Sequence, residues 1–236
     1  SINSPFWRWT DKPTEPPAGL NLIALPSRFE ITRSSCAPGP ATHPTRRPGK
    51  SALENEPTVI TRSSRAASGG GTNSGYGGGM CNYGSSPMLA NCTFSENMAS
   101  SSDSYGACGG GMYNYNSSPT LTAVTFSANS AYFGGGMYNR YSSPTLMTVT
   151  VSSNSAFDGG GMDNEFSNPM LTNVTFSNNS ASVAGGALYL TSALELGNTI
   201  LKAGVSGANI FNNGGSLITH GYNVCSDNGS GFLNGP

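Results

Sequence analysis

The chain has 236 residues and a formal net charge of −1, and only 10% of its residues are charged. Ordinary helical and α/β domains average about 25% charged residues, so a chain this uncharged, with 32 glycines, points away from both. Near-neutrality also removes the electrostatic case for a nucleic-acid partner or an anionic membrane surface, and no apolar run approaches the ~18–20 residues of a membrane span.

Residues 1–68 differ in composition from the rest. They hold nine of the eleven Lys/Arg, ten of the fifteen prolines and both tryptophans, Trp7 and Trp9. A boundary is therefore placed near residue 68. Ile31-Thr-Arg-Ser-Ser35 recurs as Ile60-Thr-Arg-Ser-Ser64, and Glu56-Pro-Thr-Val59 faintly echoes the repeat described next. The segment reads as decayed turns, as a stretch out of frame, or as an irregular Pro/Arg-rich tail or N-terminal cap. The tail is preferred, because proline supplies no backbone donor for sheet pairing.

From Gly77 onward the chain repeats itself. Gly-Gly-Gly-Met ends at Met80, Met112, Met137 and Met162, in steps of 32, 25 and 25. Leu89, Leu121, Leu146 and Leu171 keep the same steps, as do Asn97, Asn129, Asn154 and Asn179. The unit reads GGGMYNxxSSPTLTxVTFSxNSA, and the longer first step places an inserted loop around Ser100–Gly106. Apolar and polar residues alternate in Val124-Thr-Phe-Ser127, the period-2 signature of a strand with one buried face. One such unit cannot bury that face alone, but a parallel stack of units can. The predicted fold is therefore all-β: a right-handed parallel β-helix of about 25 residues per turn over 69–236, with 190–236 as divergent C-terminal turns. Methionine, Phe94/Phe126/Val151/Phe176, Val and Leu columns are expected inside. The Asn97 series is expected to form an inward amide ladder. Five scattered cysteines without metal spacing read as buried thiols, with Cys81–Cys108 as an alternative pair.

FxxN occurs as Phe94-Ser-Glu-Asn97, Phe126-Ser-Ala-Asn129 and Phe176-Ser-Asn-Asn179, and GGAL as Gly185-Gly-Ala-Leu188. This pair resembles the repeat signature of the chlamydial polymorphic outer-membrane proteins, which are autotransported adhesins. The other copies depart from it, reading GGGM and Val151-Ser-Ser-Asn154. The whole unit is more similar to right-handed β-helix repeat proteins of environmental bacteria. The stretch from Asn198 through Gly221-Tyr-Asn-Val224 to Ser226-Asp227 resembles their anchor-type C-terminal region, and that likeness implies a chain that continues past Pro236. The resemblance covers about residues 69–236, and it implies a secreted or cell-surface protein.

Function is then expected on the outward columns. One runs Cys81, Tyr113, Tyr138, Asp163, Tyr189. Beside it run Tyr83, Tyr115, Arg140, Glu165, and then Asn116, Tyr141, Phe166. Tyr113, Tyr115, Tyr138 and Tyr141 are the candidate ligand-binding residues, because exposed rings can stack on sugars. Asp158, Asp163, Glu165 and Arg140 form the one charge cluster of the repeats. They read first as surface charges, with Arg140 over Glu165, and alternatively as a polysaccharide-lyase or glycosidase site in which carboxylates hold Ca²⁺ or act as acid and base. Thr93/Thr125/Thr150/Thr175 beside Ser95/Ser127/Ser152/Ser177 form a flat grid like that of ice-binding β-helices. His220 and Asp227–Gly231 read as turns. The preferred function is an extracellular, non-catalytic, adhesive or glycan-contacting protein without a cofactor. A polysaccharide lyase or glycoside hydrolase and an ice-binding protein are the alternatives.

Overall fold

Strand-forming triplets separated by single turning residues coil this chain into a parallel β-helix. The computed structural model describes residues 58–61, 75–101 and 106–231. Among them are twenty strands and one short 3-10 turn at Gly229–Gly231, and no helix is long and apolar enough to cross a membrane.

Each rung contributes three short strands. The first sheet stacks Met80–Tyr83, Met112–Tyr115, Met137–Arg140, Met162–Glu165, Leu188–Leu190 and Ile210–Asn212. The second stacks Met88–Ala90, Thr120–Thr122, Thr145–Met147, Met170–Thr172, Leu194–Gly197 and Leu217–Thr219. The third runs from Cys92–Ser95 through Thr125–Ser127, Thr150–Ser152, Thr175–Ala184 and Ile200–Ala203 to Val224–Cys225. All pairings are parallel, and like residues meet like: Met112 pairs with Met137, Leu121 with Leu146, Phe94 with Phe126. Thr58–Thr61 adds one more strand to the third sheet, with Ile60 opposite Phe94. The echo of the repeat at Thr58-Val59 therefore corresponds to a paired strand. The proposed boundary at residue 68 lies outside the described residues.

The expected columns fill the interior. Met112, Met137, Met162, Leu121, Leu146, Phe94, Phe126, Val151 and Phe176 are buried in one continuous core, which Leu188, Leu201 and Ile210 extend into the divergent end. The phenyl rings of Phe94 and Phe126 stack 4.8 Å apart, the inter-strand spacing of a sheet.

Polar groups at the edges of this core bond from rung to rung. Asn97, Asn129 and Asn154 each donate Nδ2 to the Oδ1 of the next asparagine at 2.9 Å, ending on Asn179. A second buried ladder, Asn82–Asn114–Asn139–Asn164, lies in the first sheet with bonds of 2.7–2.9 Å. The two residues before each repeat proline, Ser-Ser in three rungs and Ser167-Asn168 in the fourth, serve two ladders of opposite direction. Ser117 takes its amide bond to Ser142 Oγ of the next rung, and Ser118 takes its own to Ser86 Oγ of the previous one.

The glycine triplets turn the chain into the first sheet. Only the first glycine of each triplet needs positive φ: Gly109 has φ 69°. Gly111 is glycine for space, because a Cβ there would sit 2.5 Å from Gly136 O and 2.8 Å from Phe126 Cδ1. The remaining bends are made by single residues in the left-handed region. Gly84, Asn116, Tyr141 and Phe166 bend the chain after the first sheet. Asn91, Ala123, Thr148, Asn173, Asn198 and Tyr222 bend it before the third.

Candidate functional site

Alternation in Met112-Tyr113-Asn114-Tyr115 sends Met112 and Asn114 inward and both tyrosines outward. Outward is not exposed here. Tyr113 is 6% and Tyr138 4% exposed, so neither offers a free ring to a ligand. The segment preceding each glycine triplet covers them. Tyr76, Cys108, Phe133 and Asp158 bridge one another in parallel and form a column beside Tyr113, Tyr138 and Asp163. Cys108, Tyr113 and Tyr138 are buried there as a second apolar layer, packed by Tyr76, Cys81, Tyr115 and Phe133. Tyr76 stacks on Tyr113 with centroids 4.5 Å apart, and Tyr113 on Tyr138 at 5.6 Å. The covering column keeps the steps of the repeat, and that spacing was the available signal for it.

Cys81 is disulfide-bonded, whereas Cys92, Cys108 and Cys225 are free thiols. The Cys81–Cys108 pairing is therefore not formed, and Cys81 is not a free thiol either. Burial pushes the Cys108 thiol far above its usual range, with nearby Asp163 and Glu165 adding to the shift.

At the fourth rung the outer layer turns acidic. Asp158 takes the place of Phe133, and Asp163 that of Tyr138. Asp163 is 2% exposed and its Oδ1 has no hydrogen-bond partner. Burial holds its carboxyl well above the usual carboxylate range, and the charges of Glu165 and Asp158 push the same way. Asp158 Oδ1 is likewise buried and unpartnered. Burial raises the Asp158 carboxyl too, offset by a bond from the Ala184 amide. No group of three or more His, Cys, Asp or Glu side chains converges on a metal position among the described residues.

Arg140 lies opposite Glu165 on the adjacent rung, as the repeat predicts. Their Nε and Oε2 atoms are 3.4 Å apart. This is a charge contact rather than a hydrogen bond, since Nε has no acceptor in bonding geometry. Both side chains are partly exposed, so the pair is worth little to stability. His220 lies just past its strand and contacts Glu195 at 3.0 Å. Asp227 closes the last described rung, accepting from the Asn209 and Gly229 amides and from Cys225 Sγ.

The exposed part of the predicted aromatic surface is a diagonal ridge. Tyr83 and Tyr115 come from the strand end, with centroids 4.9 Å apart and planes 8° from parallel. Arg140 and Glu165 then take that column, and the aromatics continue one residue later. Tyr141 meets Tyr115 edge-on at 5.9 Å and stacks on Phe166 at 5.2 Å. The Arg140 guanidinium lies 5.6 Å from the Tyr141 ring centre. Tyr141 is 47% and Phe166 58% exposed. Both sit at a corner with φ near 50°, where earlier rungs carry Gly84 and Asn116.

The Thr-x-Ser grid is in register, with Thr125 between Thr93 and Thr150 and Ser127 between Ser95 and Ser152. No family model, curated protein or solved structure matches the chain.

Proposed function

We propose that this β-helix is an extracellular or cell-surface, non-catalytic protein that contacts glycans along the Tyr83–Tyr115–Tyr141–Phe166 ridge. One observation carries the reading. Tyr141 and Phe166 keep large exposed rings on left-handed backbone, at a corner that Gly84 and Asn116 occupy without strain. Such a conformation costs a bulky residue of order 1–3 kcal/mol, and at these two corners it is borne by rings that face solvent rather than the core. Offset stacking leaves part of each ring face and its edge open. Arg140 and Glu165 beside the ridge supply a donor and an acceptor for sugar hydroxyls. The same cluster does not favour hydrolysis or elimination, because Asp163 is sealed from any polymer and lacks a hydrogen-bonded partner.

The test is affinity electrophoresis against a panel of neutral and acidic polysaccharides, with the Tyr141→Asn/Phe166→Asn double variant as comparison. Asparagine suits the corner, so the fold is retained while the rings are lost. At least a tenfold loss of retardation is expected. Equal retardation of both proteins removes the ridge from consideration. Unsaturated or reducing-end product that disappears in Asp163→Asn replaces the reading with an enzymatic one.

A further inference from the structure

The outer apolar layer ends on two carboxyl groups, each with one oxygen that no donor meets. Asp158 and Asp163 occupy neighbouring columns of one rung. The glycine that follows Asp158 lies so close that a Cβ on it would sit 2.6 Å from Asp163 Cβ. Each aspartate has one buried oxygen, Oδ1, without a hydrogen-bond partner. Leaving such an atom unpaired is costly, and more so if it is charged.

The groups facing Asp163 do not neutralise it. From the rung before come Tyr138 and, further back in the layer, Cys108. From the rung after comes Tyr189, a neutral phenol whose hydroxyl accepts from Asn213 Nδ2 at 2.9 Å. On its own strand lies Glu165, and the nearby cation, Arg140, is engaged with Glu165. Two adjacent carboxylates without a counter-ion cannot both ionise, but one proton between them satisfies both orphaned oxygens.

We propose that Asp163 is protonated at neutral pH and donates to the partly buried Asp158, so that the two form one acid pair closing the outer layer at the fourth rung. Loss of that proton makes the seam between the covering column and the first sheet pH-sensitive. A carboxyl that holds its proton more tightly folded than unfolded contributes its full stability below the unfolded pKa. That contribution is lost as pH rises toward the folded value. The seam therefore weakens from mildly acidic toward alkaline pH, opposite to the trend of a salt-bridged aspartate.

Thermal melts of the full chain from pH 4 to pH 9, with 5 mM CaCl₂ or with EDTA, test this on wild type, Asp163→Asn and Asp158→Asn. Wild type should lose roughly 5 °C or more of Tm relative to Asp163→Asn as pH rises. The asparagine donates the same bond at every pH. Infrared spectroscopy of wild type at pH 7 should show the carbonyl stretch of a protonated carboxylic acid, absent from Asp163→Asn, and that measurement stands even if a variant folds poorly. Parallel pH slopes in wild type and Asp163→Asn, or no acid band in wild type, overturn the acid pair. A Tm raised by CaCl₂ in wild type but not in either variant overturns it in favour of a cation site.

Discussion

Tyr141 stacks on Phe166 across adjacent rungs, with ring centroids 5.2 Å apart and planes 11° from parallel, while both residues hold left-handed backbone. Stacking of this kind returns about 0.5–1.5 kcal/mol, which largely offsets the strain of one such corner. The ridge is thus tolerable to the fold without being favoured by it.

Thr148 carries the same strain with nothing to offset it. It is exposed, β-branched and held at φ 55°, in a corner column that has asparagine at 91, 173 and 198. Thr148→Asn is expected to stabilise the protein by ~1 kcal/mol, raising Tm by roughly 2–4 °C. Calorimetry showing no rise would mean that Thr148 makes compensating contacts.

The first-sheet amide ladder should be most sensitive in its middle. Asn139 both accepts from Asn114 and donates to Asn164. Asn139→Leu strands groups on both sides and should cost ~3 kcal/mol or more. Asn164→Leu strands mainly the Asn139 amide, since Leu190 follows in the column, and should cost roughly half as much. Urea denaturation at constant m-value ranks the two.

Two glycines should respond differently to alanine. Gly84 has positive φ but open space around the missing Cβ, so Gly84→Ala should cost only ~1 kcal/mol of backbone strain. Gly111 abuts backbone oxygen and a core ring. Gly111→Ala should cost ~3 kcal/mol or prevent folding, seen as a lost or sharply lowered urea midpoint.

Arg140→Ala should change stability by less than ~1 kcal/mol, because a partly exposed charge contact contributes little. A larger loss on thermal unfolding would assign Arg140 a packing role over Tyr141.

The interior of the fold was legible because identical residues recur at a fixed step. Met137 over Met112, Leu146 over Leu121 and Asn154 over Asn129 follow from spacing and period-2 alternation alone. The exposure of Tyr113 and Tyr138 was not legible in the same way. Alternation states which side of a strand a residue faces, but not whether another segment lies across that side. Here the covering column of Tyr76, Cys108, Phe133 and Asp158 keeps the steps of the repeat, but its residue type changes at every rung and it makes only isolated bridges, so neither composition nor alternation marks it. Asp163 was read as a surface charge for the same reason. The left-handed corners at Tyr141 and Phe166 were hidden by residue type, since glycine or asparagine is the usual mark of such a bend.

The paired serine ladders bear on how this protein could change in length. Ser117 binds forward and Ser118 backward, and every other rung-to-rung bond also reaches only the nearest neighbour. On its inner face each of the regular rungs presents to the next the same groups that it receives from the last. Excising Met137–Gly161 would bring Gly136 to Met162 and re-form the Met112–Met162, Asn114–Asn164 and Leu121–Leu171 columns of the core, while changing the partners on the outer face. Gene-level duplication or loss of one 25-residue unit is then close to neutral for the core, whereas the ridge, which takes one ring from each of four rungs, would be shortened or interrupted. Selection on the reach of the molecule therefore acts on the length of its outer ridge at the same time.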